Sequence, residues 1–230
     1  MMTPTSSRSS AEPIDLLDHA EIDELFSRLR TAFPSKRNDI TVKDDLVAFR
    51  SLVACLLSAQ SLDRNTAKAK AALFALADTP SDILALDETA IAAAIRPAGL
   101  YNMKTRNLKR LCAFLIDEHD GRVPRDRAGL MRLPGIGRKC ADIMLSFSFG
   151  QPVIAVDTHI HRVANRIGLA RGRNEAETAK SLEARASHWA GRASHMWLLR
   201  FGKAVCRARS PKCSGCMLHD LCRYELKATP

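Results

Sequence analysis

The chain has 230 residues, 35 of them basic and 25 acidic, giving a net charge of +10 and a pI near 9.6. That length suits one large domain or two small ones with their own cores, and the basic excess favours a polyanionic partner. No run of about 18 uninterrupted apolar residues suggests a membrane span, and seven cysteines, an odd number, argue against a disulfide framework.

Residues 1–13 are rich in Ser, Thr and Pro without apolar periodicity, which predicts a disordered tail rather than a signal or transit sequence. Ile22, Leu25, Phe26 and Leu29 form a helical stripe that Pro34 closes. Residues 45–61 are apolar on most faces, through Leu46, Phe49, Leu52, Val53, Leu56 and Leu57, as in a buried central helix. This segment ends in L-L-S-A-Q-S-L-D, and Asp63 is placed to cap the next helix. Alanine-rich helical patterns over 82–86 and 88–95 are broken by Pro80 and Pro97. Gly99 then makes a turn with Leu100 and Tyr101 at its tip. Exposed apolar residues there suit wedging between bases, although a loop leucine can equally fold back onto a core. Residues 104–119 predict an amphipathic helix with Leu108, Leu111, Leu115 and Ile116 inward and Lys104, Arg106, Lys109 and Arg110 largely outward.

Residues 133–157 carry the densest signal: L-P-G-I-G-R-K-C-A-D-I-M-L-S-F-S-F-G-Q-P-V-I-A-V-D. Asp126 caps a short helix over 127–132, Pro134, Gly135 and Gly137 make a tight turn, and helical patterning resumes at Arg138. Bare amides feeding a helix N-terminus form an anion site that a nucleic-acid phosphate would fit, while an ordinary helix–helix connection has the same outline. Lys139 lies in the first turn of the second helix. A helix over 139–149 spans about 16 Å, and the residues after Gly150 reach back roughly 23 Å if extended, so Asp157 can sit beside Lys139. Asp157 also suits the N-cap of the T-H-I-H-R helix, whose stripe is Ile160, Val163, Ala164 and Ile167.

Near the C-terminus Cys206, Cys213, Cys216 and Cys222 give C-x6-C-x2-C-x5-C, a density typical of metal ligands. Four thiolates suit zinc or an iron–sulfur cluster. Cys55, Cys112 and Cys140 lie in apolar helical patterns and read as core residues. Residues 192–227 carry a net +6, so a metal folding them would make a rigid basic patch. Nearly every periodic segment is helical and only 153–156 reads as extended, so the predicted fold class is all-α.

L-P-G-I-G-R-K followed by A-V-D-T-H resembles the helix-hairpin-helix DNA glycosylases of the endonuclease III type, and the likeness covers about residues 22–224. The resemblance implies two lobes: a helical bundle over 41–150 that contains the hairpin unit (126–149), and a cluster domain formed by 14–40 with 151–230. It implies Lys139 as nucleophile with Asp157 as its partner. Gln60, in the L-S-A-Q segment, would project into the gap left by an extruded nucleotide, Leu100 would be the wedge, and Gly135, Ile136 and Gly137 would meet the DNA. The cysteine spacing is that of the family's 4Fe-4S cluster.

The implied partner is double-stranded DNA with a damaged base or abasic site. The protein would act as a monomer in the cytoplasm, associated with the nucleoid. The implied reaction is removal of an oxidised pyrimidine, of the thymine glycol type, through a Schiff base, followed by strand nicking by β-elimination. Cys140, Met196, Phe201 and Lys203 depart from residues common in the bacterial branch. Two other readings share the fold: a base-only glycosylase, which Lys139 opposes, and a non-catalytic DNA-binding paralogue that keeps the scaffold and cluster.

Overall fold

The computed structural model describes residues 15–34, 44–186 and 188–225, and within these it is helical without strands. The expected tail over 1–13 lies outside the described residues. Eleven α-helices occur among the described residues: α1 (His19–Ala32), α2 (Asp45–Ser58), α3 (Asp63–Phe74), α4 (Pro80–Ala85), α5 (Glu88–Ile95), α6 (Tyr101–His119), α7 (Arg127–Arg132), α8 (Arg138–Ile143), α9 (Thr158–Ile167), α10 (Glu175–Arg185) and α11 (Arg192–Ala204). A 3-10 turn (Arg96–Ala98) precedes α6, and a π-helical segment (Met144–Ser148) prolongs α8. None of these helices is long and apolar enough to cross a membrane.

Helix starts follow their capping chemistry. Asp18 and Glu21 form a reciprocal capping box on α1, Asp126 accepts from Gly129 N–H at the start of α7, and Asn174 caps α10. Other starts differ from the sequence expectation. Asp63 is the first residue of α3, not its cap; Leu62 holds the cap position, and the Asp63 carboxylate meets the positive end of the helix instead. Pro80 opens α4 behind a Thr79 cap, a position where a missing N–H leaves no bond unmade.

Buried side chains fall into two clusters. One gathers α2 to α8 with the π segment, around Phe49, Leu52, Leu56, Leu73, Ile91, Leu108, Leu111 and Leu145. The other joins α1 to α9, α10, α11 and the cysteine-rich segment, around Leu25, Phe26, Ile160, Val163, Leu182, Leu198, Phe201 and Leu218. The apolar run before α9 passes from one to the other: Val153 is buried in the first, Ile154 and Val156 in the second. That run has no ladder partner, so it is a buried connector rather than a strand.

Packing corrects three further expectations. Helix α2 ends at Ser58, and Leu46 is exposed because its buried stripe begins at Ala48. Tyr101 opens α6 and packs on the first core, leaving Leu100 alone at the tip. Lys104 turns inward, only 2% exposed, and Lys109 Nζ donates to Leu84 O and Leu86 O, both at 2.6 Å, because main-chain carbonyls there lack other donors. Cys112 is fully buried, whereas Cys55 and Cys140 are half-buried and face each other between α2 and α8.

Candidate active site

A cleft of about 660 Å³, within the range of about 300–1,000 Å³ usual for ligand sites, is lined by residues at the ends of α2 and α8 and the start of α3 on one side and by residues of α9, α10 and α11 on the other. Lys139, Asp157 and Gln60 all line it. Each arrives by a different local device. Gly135, at φ +80 and packed on Asn107, turns the chain after α7 so that Gly137 becomes the N-cap of α8 with Lys139 in its first turn. The π segment and Gly150, at φ +65, then end that helix and return the chain. Asp157 is held by its own helix: one carboxylate oxygen accepts from His159 N–H and Ile160 N–H, both at 2.9 Å.

Gln60 leaves the end of α2 at φ 51. Leu100 does not line the cleft; it stands at the entrance to α6 at φ 49 and is 48% exposed. Only four described non-glycine residues have positive φ, and these are two of them. Such backbone costs about 1–2 kcal/mol per residue and persists where the surroundings enforce it. Ile136 is buried in the first core and anchors the hairpin, whereas nothing lies within 4 Å of where a Gly137 Cβ would be, so the chain there is open to an approaching molecule.

His195 and Lys203 also line the cleft. Lys203 counted only as a departure in sequence, and His195 carried no signal beyond its place in S-H-M-W. His195 is nine-tenths or more buried, its Nδ1–H donates to Ala155 O at 2.9 Å, and Phe147 meets its ring edge-on. A carbonyl only accepts, so this bond fixes the Nδ1–H tautomer and leaves the lone pair on Nε2. Burial depresses its pKa to about 4; the Asp157 carboxylate and the Ala155 carbonyl oppose that shift, and Lys139 adds to it.

Cys206, Cys213, Cys216 and Cys222 line a second, smaller cavity with Arg166, Phe201, Lys212 and Tyr224, and no disulfide joins any of the seven cysteines. No carboxylate or histidine among the described residues lines it. Arg166 donates to Cys206 Sγ at 3.8 Å and Leu218 N–H to Cys216 Sγ at 3.5 Å. Burial pushes the Cys216 thiol up, its bond from Leu218 opposes this, and the three other cysteines push it further up. Four thiols gathered on one cavity, two of them receiving N–H donors, fit a cationic metal centre, which would relieve their repulsion as thiolates. No three His, Cys, Asp or Glu side chains among the described residues converge as a ready-made single-ion shell. Two α9 arginines serve this segment: Arg162 donates to Cys206 O, and Arg166 to Arg207 O and Ala208 O.

The family model described as HhH-GPD superfamily base excision DNA repair protein matches residues 53–189, more than half of the chain, and that sets the class. Endonuclease III of Escherichia coli (strain K12) is 40% identical over 204 residues, which cover 89% of this chain and 95% of that one. Among solved structures, a trapped endonuclease III–DNA covalent intermediate, an estranged-adenine complex, matches with a TM-score of 0.78 at 38% identity, covering 90% of this chain and 97% of that one. A thermostable thymine-DNA glycosylase gives 0.78 at 27% identity, covering 91% and 98%. Within the HhH-GPD class, the chain belongs to the endonuclease III family.

Proposed function

We propose that this protein is a base-excision repair enzyme, a bifunctional DNA glycosylase and abasic-site lyase that acts on oxidised pyrimidines of the thymine glycol type in duplex DNA. The observation that carries the reading is the meeting of Lys139 and Asp157 on one cleft, in a chain 40% identical to an endonuclease III. Two lobes, 14–40 with 151–230 and 41–150, would grip the DNA across that cleft, and the +10 charge supports this binding mode. The protein would work as a monomer on chromosomal DNA in the cytoplasm.

The sugar carbon under attack is shielded inside a duplex, so the nucleotide must first leave the stack. Gln60 and Leu100 would fill the space it vacates, and the Gly135–Ile136–Gly137 hairpin would present amides to a phosphate. The neutral amine of Lys139 attacks the anomeric carbon, and the base departs with the electrons of the glycosidic bond. The nitrogen gives up one proton to the departing base, and its lone pair then breaks the C1′–O4′ bond, with O4′ taking a proton from water, which leaves a protonated Schiff base to the opened sugar. Loss of a 2′ proton then expels the 3′ phosphate. Asp157 stabilises the cationic sugar that develops as the base leaves, held in place by the two amides of α9.

The four clustered cysteines would hold a 4Fe-4S cluster, which supplies a rigid link for the basic segment around it. Borohydride trapping on a thymine glycol duplex and an abasic duplex tests the reading. A covalent adduct on both, abolished in Lys139→Gln, is expected. An adduct on abasic DNA alone would refute the lesion assignment, and tight binding with no adduct would leave only a DNA-binding paralogue.

A further inference from the structure

The last four carbonyls of an α-helix lack donors within it. In α2 they belong to Cys55, Leu56, Leu57 and Ser58. Ser58 Oγ donates to Cys55 O at 2.7 Å, Ala59 N–H to Leu56 O at 3.4 Å, and Ser61 N–H to Ser58 O at 3.1 Å. Leu57 O accepts instead from Lys104 Nζ, 2.8 Å away on α6. In a continued helix that oxygen would accept from Ser61 N–H, four residues on. Lys104 therefore occupies the acceptor through which α2 would extend past Gln60, and the chain turns away at φ 51.

The same ammonium donates to Ala98 O at 2.9 Å, the last residue of the 3-10 turn before Gly99 and Leu100. Its main-chain N–H closes on Leu100 O at 3.0 Å. One buried residue thus fastens two strained tips from separate parts of the chain. Burying a lysine is costly unless its donors are matched, and both acceptors here are main-chain carbonyls at helix ends, where partial negative charge gathers.

We propose that Lys104 is a positioning residue that fixes the spacing of Gln60 and Leu100, and so governs how a duplex is held open rather than how the sugar is attacked. This rests on the reading of those two residues as inserting into DNA. Burial also pulls the Lys104 pKa down, consistent with an amine held away from water. A deprotonated amine keeps two N–H donors for its two carbonyls, so the bridge survives alkaline pH.

Lys104→Met removes the donor and keeps an unbranched apolar stem. In the free variant, amide hydrogen exchange at Ser61 and over 98–102 is expected to quicken, with the remaining helices unchanged. Trapping on single-stranded abasic DNA, which has no gap to fill, is expected to persist. Turnover of a thymine glycol duplex is expected to fall in kcat/KM by about 10- to 100-fold, the scale of a misplacement near 1 Å. The Gln60→Ala/Lys104→Met pair is expected to lose less than the product of the single losses, since both act through one tip. Lys104→Gln, a shorter neutral donor, is expected to fall between and gives a second variant should the first fold poorly. Equal losses on single-stranded and duplex DNA, or full additivity, would overturn the assignment. If Gln60→Ala and Leu100→Ala both leave duplex turnover intact, the insertion reading fails and this proposal with it. If they lower turnover and Lys104→Met does not, the proposal alone fails.

Discussion

His195 is buried without its charge, and that has a thermodynamic signature. Its pKa is about 4 in the native state against an ordinary 6.5, chiefly through burial, so between these values the unfolded chain binds more protons than the folded one. The stability tied to a neutral His195 is therefore intact above about pH 6.5 and is lost as pH falls towards about 4, at on the order of 1.4 kcal/mol per pH unit. Urea denaturation of the protein and of His195→Asn across this window measures it. The variant is expected to show a flatter pH dependence, and equal slopes would mean that His195 is charged in the fold. The hairpin glycines divide in the same way. Gly135 has φ +80 and a Cβ there would lie 3.1 Å from Asn107, so Gly135→Ala should cost about 1–2 kcal/mol of stability. Gly137 has neither constraint, with φ −93 and open space beside it. Gly137→Ala is expected to melt like the wild type yet bind an abasic-analogue duplex less tightly, and unchanged affinity would remove the hairpin from the DNA interface.

At the scale of elements, the hairpin helices are locked to α10 by charge. Asp142, 1% exposed, accepts from Arg127 Nε at 2.7 Å and pairs with Arg138 Nε at 3.4 Å; both arginines reach Glu183, at 2.5 and 2.9 Å. Burial raises the Asp142 pKa, and Arg127 is the main opposing influence. Arg127→Met is therefore expected to destabilise by about 3 kcal/mol by leaving a buried carboxylate with only its longer Arg138 contact, and adding Asp142→Leu should restore most of the loss. Urea midpoints of the two variants check both statements, and equal destabilisation would show that the pair contributes as an ion pair rather than by avoiding a stranded charge. None of this was legible in the sequence, since charges on three separate helices give no sign of converging. Local signals fared better: the Asp126 and Asp157 caps and the α9 stripe stand in the structure as the sequence implies, and the helix carrying Lys139 stops short of Gly150 as expected, although its second half is π-helical. The inward turn of Lys104 stayed hidden because amphipathic periodicity scores a lysine as outward. Its two carbonyl partners lie on other elements, and only tertiary packing supplies them.

Across the whole molecule, the cleft depends on both cores while the cysteine segment belongs to only one of them. That segment is tied down independently of any metal: Leu218 is fully buried in the second core, and Arg28 donates to Met217 O at 2.9 Å and pairs with Asp220 at 2.7 Å. Its ties to the second core lie mostly in residues 217–223, whereas Arg207, Arg209 and Lys212 sit between Cys206 and Cys213, on a stretch held by Arg162, Arg166 and the Lys212 N–H bond to Val205 O, where the proposed cluster would add its own hold. Removing the proposed cluster should therefore loosen the basic half of the segment without unfolding α1, α9 and α11. The expected result after chelation is a nearly unchanged far-UV circular dichroism spectrum with weaker binding to an abasic-analogue duplex. The dependence of log Kobs on log salt should become shallower, by about 0.9 for each phosphate that the loosened segment no longer neutralises. A parallel salt dependence at lower affinity would mean that the segment touches no phosphate and that the cluster acts through stability alone. Loss of helical signal would instead make the cluster a folding requirement of the whole second core.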